Sequence, residues 1–358
     1  MSVFRIAFIG LLVFACAGCQ WSYYHQAIQG HRALMNERQP VEEVLAKAHL
    51  DERLRQQLKL SQDVLAFADS AIDLQPGNAY RDYVSVQGNA IVWNVMAAPA
   101  FSFEPKTWCF PVAGCVTYRG YFDRQRAQEY AETLSEQGWD THVGGAIAYS
   151  TLGWFADPLT SPMTALPEQE FVDLLFHELT HRRVYVKDDT RFNESLATMV
   201  AREATLQFYS YREQLPPLSA WRERDEARQR FVQLIREARG DLAEVYTSGL
   251  SRADMAVEKA RRQQALRDDY NLAREALPAM ARYQHFFNGP LNNAQLNGVS
   301  DYNQWVPAFQ QLFLQCGGQW HCFWTQVNLL ADQPRSERQL AMAALLAMAE
   351  GDQLSLLN

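Results

Sequence analysis

Phe176-His177-Glu178-Leu179-Thr180-His181 is the stretch of sequence that decides the fold, and Phe192-Asn193-Glu194-Ser195 follows it closely. The first stretch is an H-E-x-x-H motif. On a helix, His177 and His181 lie one turn apart and project from the same face, so both imidazoles can bind one metal ion. Glu194 would supply the third ligand, as in open zinc sites built from two His and one Glu. The sequence therefore predicts a Zn²⁺ site.

The residues around this motif indicate a buried helix from Pro167 to about Val186. Proline suits the first turn, and most of the following positions are apolar. Two histidines and a glutamate are costly to bury on such a helix without a partner, which favours a metal ion. Glu178 would lie beside the metal as the general base for a metal-bound water. The alternative is that both histidines are core residues satisfied by the backbone, and that Glu194 helps to cap a helix.

A second helix is predicted to begin near Phe192, after a turn at Lys187-Asp188-Asp189. It would run antiparallel to the first helix. Glu194 would then fall in its first turn and face back towards the two histidines, within reach of the same metal ion.

Residues 1–18 have the composition of a secretory signal peptide. Arg5 is their one positive charge, and the apolar run after it is too short to span a membrane. The small residues before Cys19 resemble a bacterial lipobox, so Cys19 is the predicted lipidation site and a lipid anchor is the predicted membrane contact. Cleavage before Cys16, or an ordinary signal that leaves a free cysteine, are the alternatives. Gln20 resembles the sorting residue of outer-membrane lipoproteins, which predicts a location at the periplasmic face of the outer membrane.

Four further cysteines fit an oxidising compartment. Cys109 and Cys115 enclose a short turn-rich loop, and so do Cys316 and Cys322. Such pairs predict two disulfides between sequence neighbours. The alternative is a second zinc site, but its cysteine spacing would be wide and only His321 is nearby.

Composition indicates a large globular protein. The 358-residue chain is 48% hydrophobic and carries a formal net charge of −8. The mature part is long enough for one large domain or two closely packed subdomains. The acidic balance and the absence of a basic block argue against nucleic acid as a partner.

The pattern along the chain predicts an α+β fold. Residues 19–165 would form helices and a small mixed sheet, and residues 166–358 a mostly helical part that carries the zinc site. Runs of β-branched and aromatic residues predict strands at Tyr83–Val86, Ile91–Ala97, Val116–Phe122 and His142–Tyr149. Helical spacing predicts two helices between residues 40 and 72, and further helices at Asp123–Gln137, Trp221–Gly240, Ala253–Tyr283 and Trp305–Leu314. Residues 288–302 are predicted to form a polar loop.

A sheet that precedes an H-E-x-x-H helix is the architecture of zincin peptidases, in which an edge strand holds the substrate in an extended pose. The glycine-rich segment 144–149 is the predicted edge strand. Gly145 and Ala146 would lie against the substrate backbone, because glycine permits close approach. The alternative is an ordinary inner strand that ends in a turn at Gly153.

Several segments closely resemble a family of proteobacterial lipoproteins known as putative zinc-dependent aminopeptidases. The segments are Val92–Tyr121, Tyr149–Phe155 and His177–Thr198, and the resemblance extends over essentially the whole mature chain. It implies a zincin-like fold and a peptide substrate. It also implies roles for His177, His181 and Glu194 as ligands and for Glu178 as the base. Twelve residues lie between His181 and Glu194, a shorter spacer than in the thermolysin-like and membrane-alanyl aminopeptidase families.

Hydrolysis of an amide also needs a donor that stabilises the oxyanion of the tetrahedral intermediate. Tyr185, Tyr149 and Tyr302 are the candidates, although each is more often a packing residue. Glu170 lies two turns before His177 and could receive the free α-amino group of a substrate. As a carboxylate in the first turn of a helix, it needs no such role.

Two other functions fit the same residues. The chain could be a non-catalytic lipoprotein that keeps the fold for binding or assembly at the outer membrane, although retention of the complete His-Glu-His-Glu set argues against this. It could also be a metallohydrolase that cleaves amides other than peptides, such as those of the cell wall.

Overall fold

The computed structural model of the chain describes residues 22–110, 114–148, 156–213 and 218–356. Within these ranges the protein is α+β, as predicted, with every strand ending by Thr160 and helices following almost without interruption. Cys19 and Tyr149, two of the predicted site residues, lie outside the described residues. No helix in the described ranges has both the length and the apolar character that crossing a bilayer requires.

The N-terminal part alternates short helices and short strands. It comprises α1 (residues 22–36), β1 (Gln39–Pro40), α2 (Val41–Leu45), α3 (Glu52–Ser70), β2 (Asp82–Val84), β3 (Val92–Pro99), β4 (Trp108–Phe110), β5 (Gly114–Val116), β6 (Tyr118–Tyr121), α4 (Arg124–Glu136), β7 (Trp139–Ala146) and β8 (Leu159–Thr160). Aspartates cap two of the helices: the side chains of Asp51 and Asp123 accept hydrogen bonds from the backbone amides of Leu54 and Arg126. Such caps satisfy amides that the helix itself leaves unpaired.

The strands form three small sheets instead of the single mixed sheet that the sequence predicts. The largest is antiparallel with the order β6-β3-β7, so β7 is an outer strand, as expected of an edge strand. β2 pairs antiparallel with β1 and parallel with β8, and β4 pairs with β5. β7 begins at Trp139, three residues before the predicted start at His142. The register places Tyr118 opposite Met96, and Met96 opposite His142, on one face of the largest sheet.

The C-terminal part is helical. It comprises α5 (Ser161–Thr164), α6 (Glu168–Arg183), α7 (Thr190–Tyr211), α8 (Leu218–Thr247), α9 (Arg252–Ala276), a 3₁₀ helix (Pro278–Tyr283), α10 (Gln284–Phe287), α11 (Asn293–Asn303), α12 (Val306–Gln315), α13 (Trp320–Ala331) and α14 (Arg335–Leu356). The polar loop predicted over residues 288–302 is therefore wrong. Asn292 caps α11 by accepting a hydrogen bond from the amide of Gln295 at 3.1 Å, and Leu296 is fully buried. Polar residues that read as a loop act here as a helix cap and as buried hydrogen-bonding groups.

Helix α6, which carries the H-E-x-x-H motif, also ends earlier than predicted. It stops at Arg183, because Val184 adopts an extended conformation with φ −141° and ψ 125°. Val184 and Val186 are both buried, and such β-branched residues favour extended backbone. The next helix, α7, begins at Thr190, so Glu194 lies at the start of its second turn instead of in its first.

A continuous apolar core surrounds α6. Phe171, Val172, Leu175, Phe176 and Leu179 are fully buried and pack in one cluster with α3, α7, α12 and α13. Each such side chain contributes about 1.5–3 kcal/mol by leaving water. The core draws on residues from both sides of the predicted boundary at 165/166, and it holds the motif helix rigidly along most of its length.

A second core lies among α8, α9 and α11 and is attached to the largest sheet by buried polar contacts. Lys259 of α9 donates to the carboxylate of Asp140 at 2.5 Å and to the carbonyl of Ala100 at 2.8 Å. The backbone amide of Asn293, the first residue of α11, donates to the same carboxylate at 2.9 Å. These bonds fix the N-terminus of α11 against the sheet.

Both predicted cysteine pairs lie at disulfide distance. The sulfur atoms of Cys109 and Cys115 are 1.95 Å apart, and those of Cys316 and Cys322 are 2.11 Å apart. The first pair joins β4 to β5, and the second lies where α12 gives way to α13.

Candidate metal centre

Three side chains from two helices converge on one point. The Nε2 atoms of His177 and His181 are 3.1 Å apart, and Glu194 Oε2 lies 3.2 Å from the first and 3.4 Å from the second. In the described part of the chain these three residues form the one group of His, Cys, Asp or Glu side chains placed to hold a metal ion. Their side chains are 14%, 10% and 9% exposed, so the point of convergence is nearly sheltered from water.

The spacing of the three donor atoms fits a zinc ion. Zinc binds imidazole nitrogen and carboxylate oxygen at about 2.0–2.2 Å in a tetrahedron, in which two ligand atoms are about 3.3–3.5 Å apart. The three observed separations of 3.1, 3.2 and 3.4 Å lie at or just below this range. Three protein ligands would leave the fourth position open to water or substrate, as in catalytic zinc sites.

The local sequence explains why Glu194 reaches the histidines. The side chain of Asn193, the preceding residue, bonds both the amide and the carbonyl of Val186 at 2.8 Å, which clamps the connection between α6 and α7. Asp189 caps α7 by accepting a hydrogen bond from the amide of Phe192. Arg338 of α14 donates to Asp189 at 2.9 Å, and both members of this ion pair are buried. Glu194 is therefore held in place by contacts on either side of it.

The electrostatics of the three residues match their proximity. Burial alone would raise the pKa of Glu194, but the positive charge that His181 and His177 can carry, and their hydrogen bonds, hold it well below its usual range. Burial alone would lower the pKa of His181, but the charge and hydrogen bond of Glu194 outweigh burial and raise it. The carboxylate is thus ionised over the whole physiological range, which is the state that binds a metal ion.

Glu178 lies on α6 directly after His177. Burial raises its pKa, while the neighbouring His177 and His181 oppose that shift. Within the described ranges its carboxylate makes no hydrogen bond and no ion pair with another side chain. A partly buried carboxylate with free lone pairs next to a metal site can accept a proton from a bound water.

Two of the three predicted tyrosines lie near the metal centre. The ring of Tyr302, on α11, stacks on the ring of His177 with centroids 5.9 Å apart and planes 15° apart. Tyr302 is 42% exposed. Tyr185 lies in the connection after α6, not on the helix as predicted, because α6 ends at Arg183. Burial and the nearby charge of Glu194 raise the pKa of Tyr185 to about 12.

Sequence reasoning missed a further tyrosine, Tyr118 on β6. Burial raises its pKa well above the usual value, and the charges of Glu194 and Glu178 add to the shift. Tyr118 therefore lies within electrostatic range of both carboxylates. Its position on a strand far from the motif gave no local signal, and its placement depends on the pairing of β6 with β3.

Glu170 forms an ion pair with Arg282, whereas Asp173 has no such partner among the described residues. Arg282 donates to Glu170 at 2.5 Å. Asp173 lies one turn before His177 on the same stripe of α6, and sequence reasoning passed over it. It makes no hydrogen bond and no salt bridge with another described residue. Burial raises its pKa to about 6, although the charges of His177 and Arg228 act in the opposite direction.

The two predicted substrate-binding residues lie near the end of the outer strand β7. Gly145 pairs with Trp93, and Ala146 with Val92. A Cβ atom at Gly145 would lie 2.9 Å from the Cβ of Ala90 and 3.2 Å from the ring of Trp93. The protein itself thus explains this glycine, and contact of either residue with a substrate stays a prediction.

The comparison with known protein families found one matching family. The profile of a family described as "Putative aminopeptidase" matches residues 22–342, which include all three converging side chains and Glu178. No curated protein and no solved structure matches the chain. Because the family profile covers most of its length, the chain belongs to this family of putative aminopeptidases.

Proposed function

We propose that the protein is a zinc-dependent aminopeptidase. The observation that carries the proposal is the convergence of His177 Nε2, His181 Nε2 and Glu194 Oε2 at separations of 3.1–3.4 Å. Beside them lies Glu178, whose carboxylate has no partner among the described residues. Membership of a family of putative aminopeptidases supports a peptide as the substrate. We also infer a zincin-like fold, since an outer strand of a small sheet precedes the helix that carries the motif.

His177, His181 and Glu194 would hold the zinc. A zinc ion bound there would lower the pKa of a water molecule towards neutrality and polarise the scissile carbonyl. Glu178 would accept the proton of the attacking water and pass it to the leaving amine, which is the role of a general base and then a general acid. The core around α6 keeps this carboxylate next to the ligands throughout.

A tyrosine hydroxyl would stabilise the developing oxyanion. Tyr302 is the first choice because its ring lies parallel to that of the ligand His177. The end of its helix is tied to α7: Asn303 accepts a hydrogen bond from Arg202 at 3.1 Å, and the amide of Trp305 donates to Ser195 at 3.1 Å. Tyr118 and Tyr185 approach the same carboxylate ligand and are the other candidates.

We propose a location at the periplasmic face of the outer membrane, through a lipid on Cys19. The signal-like residues 1–18 and two cysteine pairs at disulfide distance support this compartment. Mass spectrometry of the mature N-terminus tests it. An unmodified N-terminus at any residue other than Cys19 would contradict lipidation.

The test of the proposed function combines metal content with hydrolysis of amino-acid anilides by the purified protein. Replacing both His177 and His181 with Ala should remove the bound zinc, because one carboxylate alone holds it weakly. Glu178→Gln should keep zinc and lower kcat by about 10²–10⁴-fold, the usual contribution of a general base. His285→Ala, at an exposed histidine on α10, is the control and should change neither. Full zinc content in the double mutant would refute the site.

A further inference from the structure

Tyr80 is a buried tyrosine whose hydroxyl has no hydrogen-bond partner among the described residues. The residue is 1% exposed. A buried hydroxyl without a partner costs about 1–3 kcal/mol. Phenylalanine would fill the same space without that cost. The backbone of Tyr80 is also strained, with φ +60° at a residue that has a large side chain. The fold tolerates both costs at one residue.

The hydrogen bonds around Tyr80 lead to the helix face that carries the general base. The amide of Tyr80 donates to the carbonyl of Asp157 at 2.7 Å. The fully buried carboxylate of Asp157 faces Arg182 at 3.4 Å. Arg182 lies four residues after Glu178, so the two side chains project from the same face of α6. Tyr80 is therefore packed against the side of α6 from which Glu178 extends.

Burial and the charges near the hydroxyl keep it protonated, so it is able to donate a hydrogen bond. Burial, then the charge of Glu178, then that of Asp157, raise the pKa of Tyr80 well above its usual value. The hydroxyl thus keeps its proton at any pH at which the protein would work. Glu178 acts on Tyr80 more strongly than Asp157 does, and Asp157 already faces Arg182. Glu178, by contrast, has no hydrogen-bond donor among the described residues.

We propose that Tyr80 is a positioning residue that donates a hydrogen bond to the carboxylate of Glu178 when the metal centre is loaded. The inference rests on the proposed function, since it concerns the general base of that reaction. Hydrogen bonds at catalytic carboxylates are often long in ligand-free proteins and shorten when substrate or metal is bound. The bond would hold one carboxylate oxygen, so that the other faces the attacking water. Tyr80 itself would touch neither substrate nor metal.

Tyr80→Phe in the full-length protein tests this. We expect the zinc content to stay the same. We expect the melting temperature of the metal-free protein, measured in EDTA, to stay the same or rise, because the hydroxyl has no partner among the described residues of that state. We expect kcat to fall about tenfold with KM unchanged, which corresponds to about 1.4 kcal/mol in the barrier. A residue with a purely structural role would show the opposite pattern, a lower melting temperature with an unchanged kcat.

The matched control is Tyr270→Phe. Tyr270 is also buried, at 3% exposure, but lies in the second core, and its hydroxyl donates to the carbonyl of Met280 at 3.3 Å. Loss of that bond should lower the melting temperature and leave kcat unchanged. A double-mutant cycle adds a second test: in a Glu178→Asp background the carboxylate is withdrawn, so Tyr80→Phe should have a smaller effect on kcat than in the wild type.

Three outcomes would overturn the proposal. One is a kcat for Tyr80→Phe within twofold of the wild type, and another is loss of zinc from that variant. The third is an equal effect of Tyr80→Phe in the wild-type and Glu178→Asp backgrounds. A wild-type protein that hydrolyses peptides with bound zinc, together with any of these outcomes, leaves the proposed function standing and removes only the role of Tyr80. A wild-type protein without zinc-dependent hydrolysis overturns both.

Discussion

Replacing Asp173 with Asn should stabilise the metal-free protein at neutral pH and have no effect in acid. The carboxylate of Asp173 has no hydrogen bond or salt bridge with another described residue, and burial raises its pKa from 3.8 to about 6. A raised pKa means that the folded protein keeps the proton to a higher pH than the unfolded chain does. The stability that this proton contributes is complete below pH 3.8 and is lost as the pH rises through 6.

The magnitude follows from the shift. A difference of about two pKa units corresponds to about 3 kcal/mol, since one unit is about 1.4 kcal/mol. Asn is neutral at every pH and has nearly the same volume. The free energy of unfolding of the variant should therefore exceed that of the wild type by up to about 3 kcal/mol above pH 6. This difference should vanish near pH 4.

Urea denaturation in EDTA at pH 4 and at pH 7.5 measures the effect without interference from bound metal. Asp269→Asn is the control: this aspartate is exposed on α9, and its replacement should shift the urea midpoint equally little at both pH values. A stabilisation of Asp173→Asn that is equal at both pH values would refute the linkage argument. So would the absence of any stabilisation at pH 7.5.

Three further predictions concern the ion pair that supports helix α7, the stabilisation of the oxyanion and the choice of substrate. Arg338→Leu leaves Asp189 buried without its partner and should destabilise the protein by about 3–5 kcal/mol in urea denaturation; an unchanged urea midpoint would contradict this. Tyr302→Phe should lower kcat for anilide substrates about 10²-fold and keep zinc bound, whereas unchanged kcat would leave Tyr302 as a packing residue. Acetylating the N-terminus of a peptide should remove most of its turnover, and Glu170→Ala should raise KM mainly for unblocked peptides if this carboxylate exchanges Arg282 for the substrate ammonium. Equal rates on blocked and free peptides would show an endopeptidase.

The convergence of His177, His181 and Glu194 could be predicted from the sequence because their geometry is mostly local. The spacing of His177 and His181 follows from one turn of helix, and the structure brings their Nε2 atoms within 3.1 Å. Glu194 follows after a single short connection, so few arrangements of the chain can place it elsewhere. The cysteine pairs could be predicted for the same reason, since each closes a loop of a few residues.

The surroundings of the site could not be predicted, because distant segments supply them. Tyr118 is placed by the pairing of β6 with β3, and Tyr80 is held by a backbone bond to Asp157 across 77 positions in the sequence. The sequence predicts a loop where helix α11 lies, because the segment is rich in Asn and Gln. Its side chains are instead capping groups and buried donors: Asn293 alone donates to the carbonyls of Pro99, Ala100 and Ser102. Composition does not distinguish a polar loop from a helix whose polar groups bond to a neighbouring sheet.

The helical C-terminal part supplies the residues of the site and also supports them through contacts from its last helix. On one side, Arg338 of α14 holds Asp189, which caps the helix that presents Glu194. The family profile ends at residue 342, just beyond this arginine, so this contact belongs to the family unit. A chain cut before α14 would keep all three ligands, but the cap of α7 would lose its ionic partner. We therefore expect such a truncation to weaken zinc binding without removing any ligand, and undiminished zinc affinity in a folded truncated protein would show that α7 positions Glu194 unaided.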